Sequence, residues 1–209
     1  MIAVIDYGAG NLGSVVNALR SIGHAPVITQ KPIEIVKAAA VILPGVGAAG
    51  DAMKHLNDLG ISDAIKQIVK ENKPLFAICI GLQVLFDETE EGGHHTCLGI
   101  FPGTVKRFPA GLKIPHMGWN QVNQKITHPM FTDIPDNTNF YFVHSYYAAP
   151  QNPAIIAGTT DYGITFCSAV ARDNVFATQF HPEKSGRWGL RLYQNFLDMA
   201  LKRKPQKAQ

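Results

Sequence analysis

The chain has 209 residues, of which 46% are hydrophobic and 17% are charged, and its formal net charge is +3. This length predicts a single domain, which we assign to residues 1–204 with a frayed tail at residues 205–209, and the low charge disfavours long disordered tracts. Scattered lysines and arginines give no basic face for nucleic acid, and the longest mostly apolar run, residues 38–50, is too short to span a membrane.

The first half of the chain alternates strand-like and helix-like segments. Short apolar runs predict strands, and apolar residues at helical spacing predict helices between them. The predicted strands are residues 2–6, Val27–Thr29, residues 41–43 and Leu75–Ile78. The predicted helices are residues 12–19, Pro32–Lys37, residues 61–69 and a helix that begins with Leu82, Val84, Leu85 and Phe86. This alternation predicts an α/β fold, an open and mostly parallel twisted sheet with helices on both faces.

The second half of the chain has a different pattern. Between residues 98 and 170 the strand-like segments are short and are interrupted by glycine, proline and asparagine, which predicts hairpins or antiparallel strands added to the sheet edge. A last apolar strand follows at residues 175–179, and an amphipathic helix at residues 189–201. No internal repeat or low-complexity linker divides the sequence.

Cys79 lies between a predicted strand and a predicted helix. Open parallel sheets carry their sites at the carboxyl ends of strands, and the small residues Ala77 and Gly81 permit a sharp turn that exposes the cysteine. Backbone N–H groups at the start of the next helix favour the thiolate, and the Ile80 N–H is expected to face an oxyanion formed there. A cysteine buried in an apolar strand is the structural alternative.

The other cysteines lack this setting. Cys167 lies in a strand-like run and is expected in the core, whereas Cys97, after His94 and His95, is expected in a solvated loop. No second cluster with structural-zinc spacing accompanies these residues, so we expect neither a metal nor a cofactor. Three cysteines do not suggest a disulfide framework, and no signal peptide is evident, so a cytoplasmic protein is expected.

His181 and Glu183 are the predicted base and the acid that orients it. They follow the last strand and are two residues apart, so that on an extended chain they share a face. A carboxylate beside a histidine fixes its tautomer and stabilises its imidazolium, which together with Cys79 gives a nucleophilic constellation. A surface His-Pro-Glu turn is the alternative for this string alone.

Three strings resemble the class I glutamine amidotransferase family: residues 44–47 (Pro-Gly-Val-Gly), residues 77–83 (Ala-Ile-Cys-Ile-Gly-Leu-Gln) and residues 180–185 (Phe-His-Pro-Glu-Lys-Ser). Their order and spacing match the oxyanion strand, the nucleophile and the His–Glu pair of that family. One departure is Ala77, where many members carry glycine. The resemblance covers nearly the whole chain and implies hydrolysis of glutamine to glutamate and ammonia by Cys79, His181 and Glu183.

Three further strings, residues 6–12, residues 115–120 and residues 141–146, resemble one branch of this family, the glutaminase subunits of imidazole glycerol phosphate synthases. In that branch ammonia passes to a (β/α)8-barrel cyclase subunit, which makes a precursor of histidine and returns a ribotide to purine synthesis. By composition alone, residues 115–120 predict an aromatic turn and residues 141–146 predict a buried strand.

The resemblance also assigns roles around the triad. The oxyanion donors are expected to be Ile80 with Val46 or Gly47. Glutamine is expected to be held by Gln83, Glu91 and the backbone of Ser145 and Tyr146. The cyclase subunit is expected to contact Asn11, Trp119, His144 and Lys184.

Competing interpretations remain open. Another amidotransferase glutaminase, such as the anthranilate synthase subunit, shares the triad but is expected to lack the string at residues 115–120. A non-catalytic regulatory homologue is disfavoured by the intact triad. A cysteine hydrolase of unrelated fold is disfavoured because the order of nucleophile, histidine and acid along such chains differs from the order in this sequence.

Overall fold

A computed structural model describes residues 1–8 and 11–202. The predicted tail at residues 205–209 lies outside the described residues. Among the residues that the structure describes, no helix is long and apolar enough to cross a membrane.

The described residues form thirteen strands and six α-helices. The strands are β1 (Ile2–Ile5), β2 (Val27–Thr29), β3 (Ala40–Leu43), β4 (Leu75–Ile78), β5 (Phe86–Thr89), β6 (His95–Thr96), β7 (Phe101–Arg107), β8 (His116–Gln124), β9 (Thr138–His144), β10 (Tyr146–Pro150), β11 (Ile156–Asp161), β12 (Thr165–Arg172) and β13 (Val175–Thr178). The helices are α1 (Leu12–Ser21), α2 (Pro32–Lys37), α3 (Ala49–Asp58), α4 (Ile61–Lys70), α5 (Ile80–Gln83) and α6 (Gly186–Lys202).

Five parallel strands in the order β2-β1-β3-β4-β13 form one side of the sheet, with β2 at its edge. Their residues are almost all apolar because helices cover the sheet, as the sequence predicts. Helix α1 packs on α6, and α2 and α3 pack on α4. The α/β architecture with a mostly parallel central sheet is therefore confirmed.

Strands added after β4 extend this sheet, mostly in antiparallel pairs. β12 joins β13, β10 and β7 continue the sheet toward β5 and β6, and β11 connects β12 to the β8–β9 pair. β5 pairs with β7 in parallel. The predicted antiparallel additions are thus present, and they surround the carboxyl end of β13.

Aromatic packing fixes α6 against the centre of the sheet. Phe76 on β4 contacts Phe176 on β13 and the rings of Tyr193 and Phe196 on α6, with centroid distances between 5.5 and 6.0 Å. All four side chains are buried. Burying each large side chain contributes about 1.5–3 kcal/mol, so this cluster holds β4 and β13 in place beneath the residues that follow them.

Register brings the ends of three neighbouring strands to one level. Leu43 on β3 lies opposite Ala77 on β4, which lies opposite Ala177 on β13. Adjacent strands are about 4.8 Å apart. The segments that follow β3, β4 and β13 therefore emerge side by side, and these segments carry residues 44–47, Cys79 and His181.

Candidate active site

A strained turn after β4 presents Cys79. Its backbone has φ 57° and ψ −109°, a left-handed conformation that is rare for a residue with a side chain. The turn needs Gly81, because a Cβ at this position would collide with the carbonyl oxygen of Leu43. Ala77, the departure from the family string, is fully buried in β4.

The helix after Cys79 is shorter than the sequence predicts. Helix α5 has 4 residues, and the chain enters β5 at Phe86 instead of continuing the predicted helix. Residues 98–101 take the carbonyl groups that a longer helix would use: Leu98 N–H donates to Val84 O and Ile100 N–H donates to Leu85 O, both at 2.9 Å. A one-turn helix has only a small dipole, so the expected contribution of a long helix to thiolate stability is reduced.

The segment after β3 approaches this turn closely. A Cβ on Gly45 would lie 2.7 Å from both Ile80 Cβ and Tyr7 Oη, so only glycine allows the approach. Gly47 has φ +93°, a conformation that favours glycine. Val46, Gly47 and Ile80 line one cavity with Cys79, so the structure brings the predicted oxyanion donors to the nucleophile.

Tyr7 belongs to this neighbourhood, although it enters the sequence prediction only as part of the string at residues 6–12, without a role of its own. Its ring is buried, and its hydroxyl makes no conventional hydrogen bond among the described residues. Burial raises the pKa of Tyr7 well above its ordinary value, the negative charge of Cys79 raises it further, and a weak contact with the Val46 backbone opposes both. Tyr7 therefore remains protonated beside the thiol.

The base and its acid lie at the end of β13. His181 Nδ1 and Glu183 Oε1 are 2.8 Å apart, and their side chains are only 1% and 3% exposed. The expectation of an extended chain is wrong here, because Pro182–Lys184 forms a 3-10 turn. Proline fixes φ at a helical value, and the turn brings Glu183 back toward the ring instead of along a strand face.

Ser185 holds the His181 backbone in position. Its Oγ donates to the His181 carbonyl at 2.6 Å and accepts from the Tyr141 N–H at 3.0 Å, while the His181 N–H donates to the Tyr141 carbonyl at 2.9 Å. These bonds tie the turn to β9. The imidazole is therefore fixed both by its carboxylate partner and by its backbone.

Electrostatics favour a charged His181. Burial is the largest single influence and lowers its pKa, but attraction and hydrogen bonding to Cys79, followed by the interactions with Glu183, together raise the pKa to about 10. His181 Nε2 has no conventional hydrogen-bond partner, so the bond to the thiol is a loose one. Catalytic hydrogen bonds are often long before substrate binds.

A cavity of about 270 Å³ joins these groups. It is lined by Val46, Gly47, Cys79, Ile80, Gln83, Glu91, Pro115, Val143, His144, Ser145, Tyr146 and His181. Its volume is slightly below the range of about 300–1,000 Å³ that is usual for ligand sites. It suits a small substrate, and all four residues predicted to hold glutamine line it.

Gln83 lines the cavity and is held by a second, fully buried glutamine, Gln179. Gln83 Nε2 donates to the Tyr146 carbonyl and to Gln179 Oε1, each at 3.1 Å, and Gln179 Nε2 donates to Cys79 Sγ at 3.6 Å. Gln83 Oε1 is buried without a partner and can accept a hydrogen bond from a ligand. Gln179 is missing from the sequence prediction, although a polar residue that ends an apolar strand is a signal that could have identified it.

Glu91 reaches the cavity from the loop after β5. Its Oε2 accepts from the Ala49 N–H at 2.7 Å and thereby caps α3, whose N-cap residue Ala48 has no side-chain acceptor. Burial raises the pKa of Glu91, the bond from Ala49 lowers it, Asp51 raises it and His95 lowers it. Glu91 is half-buried and lines the cavity, and its Oε1 is not the oxygen that caps α3.

The residues expected to contact a partner do not all lie on the surface. Trp119 is 59% exposed, Lys184 is exposed and Asn11 is half-buried. His144, in contrast, is buried and lines the cavity, so its expected place on the outer surface is wrong. Lys184 Nζ lies 5.7 Å from the centre of the Tyr141 ring, which also contacts the edge of Trp119.

The aromatic turn predicted by composition at residues 115–120 is also wrong. His116 to Asn120 belong to β8, which pairs with β9 from His116 opposite His144 to Val122 opposite Thr138. Pairing with β9 overrides the weak strand propensity of the glycine and asparagine in this string. As a result β8 turns Met117 and Trp119 outward.

The other two cysteines are buried away from the cavity. Burial raises the pKa of both Cys97 and Cys167 to about 12. Cys97 is therefore not in a solvated loop as expected, although the residues just before it are exposed. Within residues 1–8 and 11–202, no group of three or more His, Cys, Asp or Glu side chains could hold a metal ion.

The family model described as "Glutamine amidotransferase class-I" matches residues 3–200. A protein named "Imidazole glycerol phosphate synthase subunit HisH" from Dehalococcoides mccartyi (strain CBDB1) is 60% identical over 201 residues, which cover 96% of this chain and 98% of that protein. A protein of the same name from Chloroflexus aurantiacus (strain ATCC 29364 / DSM 637 / Y-400-fl) is 54% identical over 202 residues, with 94% and 95% covered.

Solved structures share the fold at lower sequence identity. One described as "Crystal structure of glutamine amidotransferase" has a TM-score of 0.75 and 20% identity, with 96% of this chain and 99% of that chain covered. Another, "Structure of PurLQS from Thermotoga maritima", has a TM-score of 0.75 and 18% identity, with 95% and 97% covered.

Proposed function

Because the chain belongs to the class I glutamine amidotransferase family, we propose that it is the glutaminase subunit of an imidazole glycerol phosphate synthase. It hydrolyses glutamine to glutamate and ammonia and delivers the ammonia to a (β/α)8-barrel cyclase subunit in histidine biosynthesis. Relatives named as subunits of that synthase, 48% to 60% identical over nearly the whole chain, support this branch of the family.

One observation carries the proposal. The ends of three neighbouring parallel strands supply a nucleophile, a buried His–Glu pair and a glycine-rich segment to the same cavity of about 270 Å³. A cysteine, a base and backbone donors are the groups that acyl transfer requires. The carboxamide carbon of glutamine is the acyl centre on which they act.

The chemistry follows from these positions. Cys79 Sγ attacks the carboxamide carbon, and the resulting oxyanion accepts hydrogen bonds from Ile80 N–H and from Val46 or Gly47 N–H. The carbon–nitrogen bond then breaks, His181 gives its proton to the departing amide nitrogen, and ammonia leaves a glutamyl thioester. Water, deprotonated by His181, cleaves the thioester to glutamate and restores the thiol. Glu183 holds the ring and stabilises its positive charge.

Substrate recognition uses the polar wall of the cavity. Glu91 attracts the α-ammonium group of glutamine with the oxygen that does not cap α3, and Gln83 Oε1 accepts a further hydrogen bond from the substrate. Two observations support these roles. Gln83 Oε1 has no hydrogen-bond partner among the described residues, and Glu91, whose Oε2 caps α3, lines the cavity. The Ser145–Tyr146 backbone completes the site for the amino-acid end.

The exposed residues beside the cavity are the proposed contact surface for the cyclase subunit. Trp119 and Met117 are 59% and 62% exposed on β8, Lys184 is exposed and Asn11 is half-buried. Exposed tryptophan is common among residues that dominate binding energy at interfaces. We place the protein in the cytoplasm on the basis of its three unpaired thiols, which suit a reducing compartment.

Replacing Trp119 by alanine is expected to weaken the complex by about 2 kcal/mol, a factor of roughly thirty in Kd. The matched control is Ile33→Ala, because Ile33 is 57% exposed on α2, which packs on α4 and β1 and not on β8 or β9. The chain is titrated against the barrel cyclase subunit with its nucleotide substrate bound, and both Kd and glutamate release are measured.

The same titration tests the function. Release of glutamate from glutamine, with its amide nitrogen recovered in the cyclase product, supports the proposal. A wild-type complex that forms but leaves glutamine intact contradicts it, and equal Kd changes for Trp119→Ala and Ile33→Ala contradict the contact surface.

A further inference from the structure

A chain of hydrogen bonds outside the triad runs from strand β8 to the glutamine cavity. Asn120 Nδ2 lies 3.2 Å from His116 Nε2, His116 Nδ1 lies 2.9 Å from His144 Nε2, and His144 Nδ1 lies 2.7 Å from the Tyr146 carbonyl oxygen. Both histidines are buried, with 3% and 6% of their surface exposed. The proposed reaction uses neither imidazole.

The direction of every bond in the chain is fixed by its ends. The Tyr146 carbonyl can only accept, so His144 carries its proton on Nδ1 and accepts on Nε2. His116 must then donate from Nδ1 and accept on Nε2. Asn120 supplies that last donor, because its Oδ1 accepts the Gln121 N–H at 2.8 Å and its Nδ2 also donates to the Asp161 carbonyl at 2.9 Å.

Both rings are uncharged in this arrangement, because each uses one nitrogen as an acceptor. Burial lowers the pKa of His116 to about 4, and burial together with the charge of His181 lowers the pKa of His144 to about 3, against the opposing effect of its bond to the Tyr146 carbonyl. The His116 ring stacks between Tyr162 and Phe142, with centroid distances of 4.1 and 4.9 Å. A neutral pair leaves His181 as the cation beside Cys79.

The chain ends at a carbonyl that also holds the cavity wall. The Tyr146 oxygen accepts from His144 and from Gln83 Nε2, which in turn donates to Gln179. These two donors fix the Tyr146 carbonyl, and its bond with Gln83 Nε2 orients the Gln83 amide so that its Oε1 has no partner among the described residues. The alignment of the substrate-binding wall therefore depends on a donor at His116.

We propose that His116 is a positioning residue for glutamine binding. It acts on Gln83 through the hydrogen-bond chain that passes by His144 and the Tyr146 carbonyl, in which the direction of every bond is fixed. The proposal rests on the proposed function, since it assigns Gln83 and Tyr146 to the glutamine site. Because His116 touches neither the substrate nor Cys79, its loss is expected to change KM for glutamine and to leave kcat nearly unchanged.

Two isosteric variants separate the hydrogen bond from the bulk of the ring. In His116→Asn the amide nitrogen occupies the place of Nδ1 and can still donate to His144, whereas in His116→Gln it reaches the place of Nε2 and cannot. In the complex with the cyclase, His116→Gln is expected to raise KM about three- to tenfold, as the loss of one net hydrogen bond implies, with kcat within about twofold. His116→Asn is expected to stay within about twofold of wild type in both.

Nitrogen NMR of histidine side chains tests the chain without any assay. In the ¹⁵N-labelled wild-type protein, two histidines are expected in the Nδ1–H form, which is the minor form of free imidazole, and to remain uncharged down to about pH 5. The two signals are assigned by their loss or shift in His116→Asn. The proposal is overturned if either of these two histidines gives the signals of the Nε2–H form or is charged at about pH 6.

The kinetic outcomes are equally decisive. Equal KM values for the two variants, or a loss confined to kcat, overturn the positioning role. A wild-type complex that releases no glutamate refutes the proposed function instead, and the NMR result still decides whether the hydrogen-bond chain exists.

Discussion

Replacing Cys79 by alanine is expected to abolish glutamine-dependent synthesis by the complex while ammonia-dependent synthesis continues. Cys79 lies at the cavity of this chain, where it supplies the only thiol that lines the described site. Removal of a nucleophile from a comparable triad costs about 10⁴-fold or more in kcat. In the proposed complex the partner carries out cyclisation of its nucleotide substrate with ammonia, so external ammonia is expected to replace the missing product.

The assay compares product formation from glutamine and from an ammonium salt at a pH where free ammonia is present. Cys167→Ala is the matched control, because it removes a buried thiol on β12 that is outside the cavity. We expect this control to retain both activities. An equal loss of ammonia-driven and glutamine-driven synthesis in folded Cys79→Ala contradicts the division of labour between the two subunits.

His181→Ala is expected to lower glutamine hydrolysis by about 10²- to 10⁴-fold, the usual contribution of a general acid–base. Glu183→Gln is expected to lower the rate less. The side-chain carbonyl of the substituted residue can still accept the hydrogen bond that Glu183 Oε1 accepts from His181 Nδ1 at 2.8 Å in the wild-type protein. The neutral side chain keeps the ring oriented and removes only the charge that helps to raise the His181 pKa.

The kcat values for glutamine hydrolysis by the two variants are compared in the saturated complex, with ammonia-dependent synthesis as the check that the complex is intact. A loss as large in Glu183→Gln as in His181→Ala shows that the negative charge is indispensable. That result contradicts the claim that the main role of Glu183 is to orient His181.

The central sheet follows from the sequence because its signals are local. The runs at β3, β4 and β13 are apolar throughout, and strands of this kind are buried on both faces. Cys79 and His181 directly follow two such runs, and parallel strands present their carboxyl ends at one edge. The convergence of these two residues is therefore predictable without coordinates.

Other elements depend on residues distant in the chain. Helix α3 begins without a capping side chain of its own and takes its cap from Glu91, so its start has no local signal. Helix α5 ends early because Leu98 and Ile100 pair with its continuation. The sequence of β8 predicts a turn, and the strand depends on its pairing with β9.

Polar positions within the site were also hidden from sequence reasoning. Gln179 ends a predicted strand and His116 lies in a predicted turn, and neither pattern indicates a role in the site. The roles of Gln179, Tyr7 and His116 depend on contacts with Cys79, Val46 and His144. The resemblance places His144 on the partner-facing surface, yet hydrogen bonds at both ring nitrogens satisfy it in the interior. Such side-chain networks are set by tertiary packing, for which hydrophobic periodicity gives no signal.

Labelling by a glutamine analogue that carries a diazoketone tests the central claim most directly, because it reports which thiol attacks a ligand held in the glutamine site. Mass spectrometry of the complex, followed by peptide mapping, is expected to find one adduct on Cys79, blocked by excess glutamine. Cys97 and Cys167 are expected to remain unlabelled, because burial raises the pKa of each to about 12. An adduct mainly on Cys97 or Cys167, or labelling of Cys79 that glutamine does not block, would contradict the account.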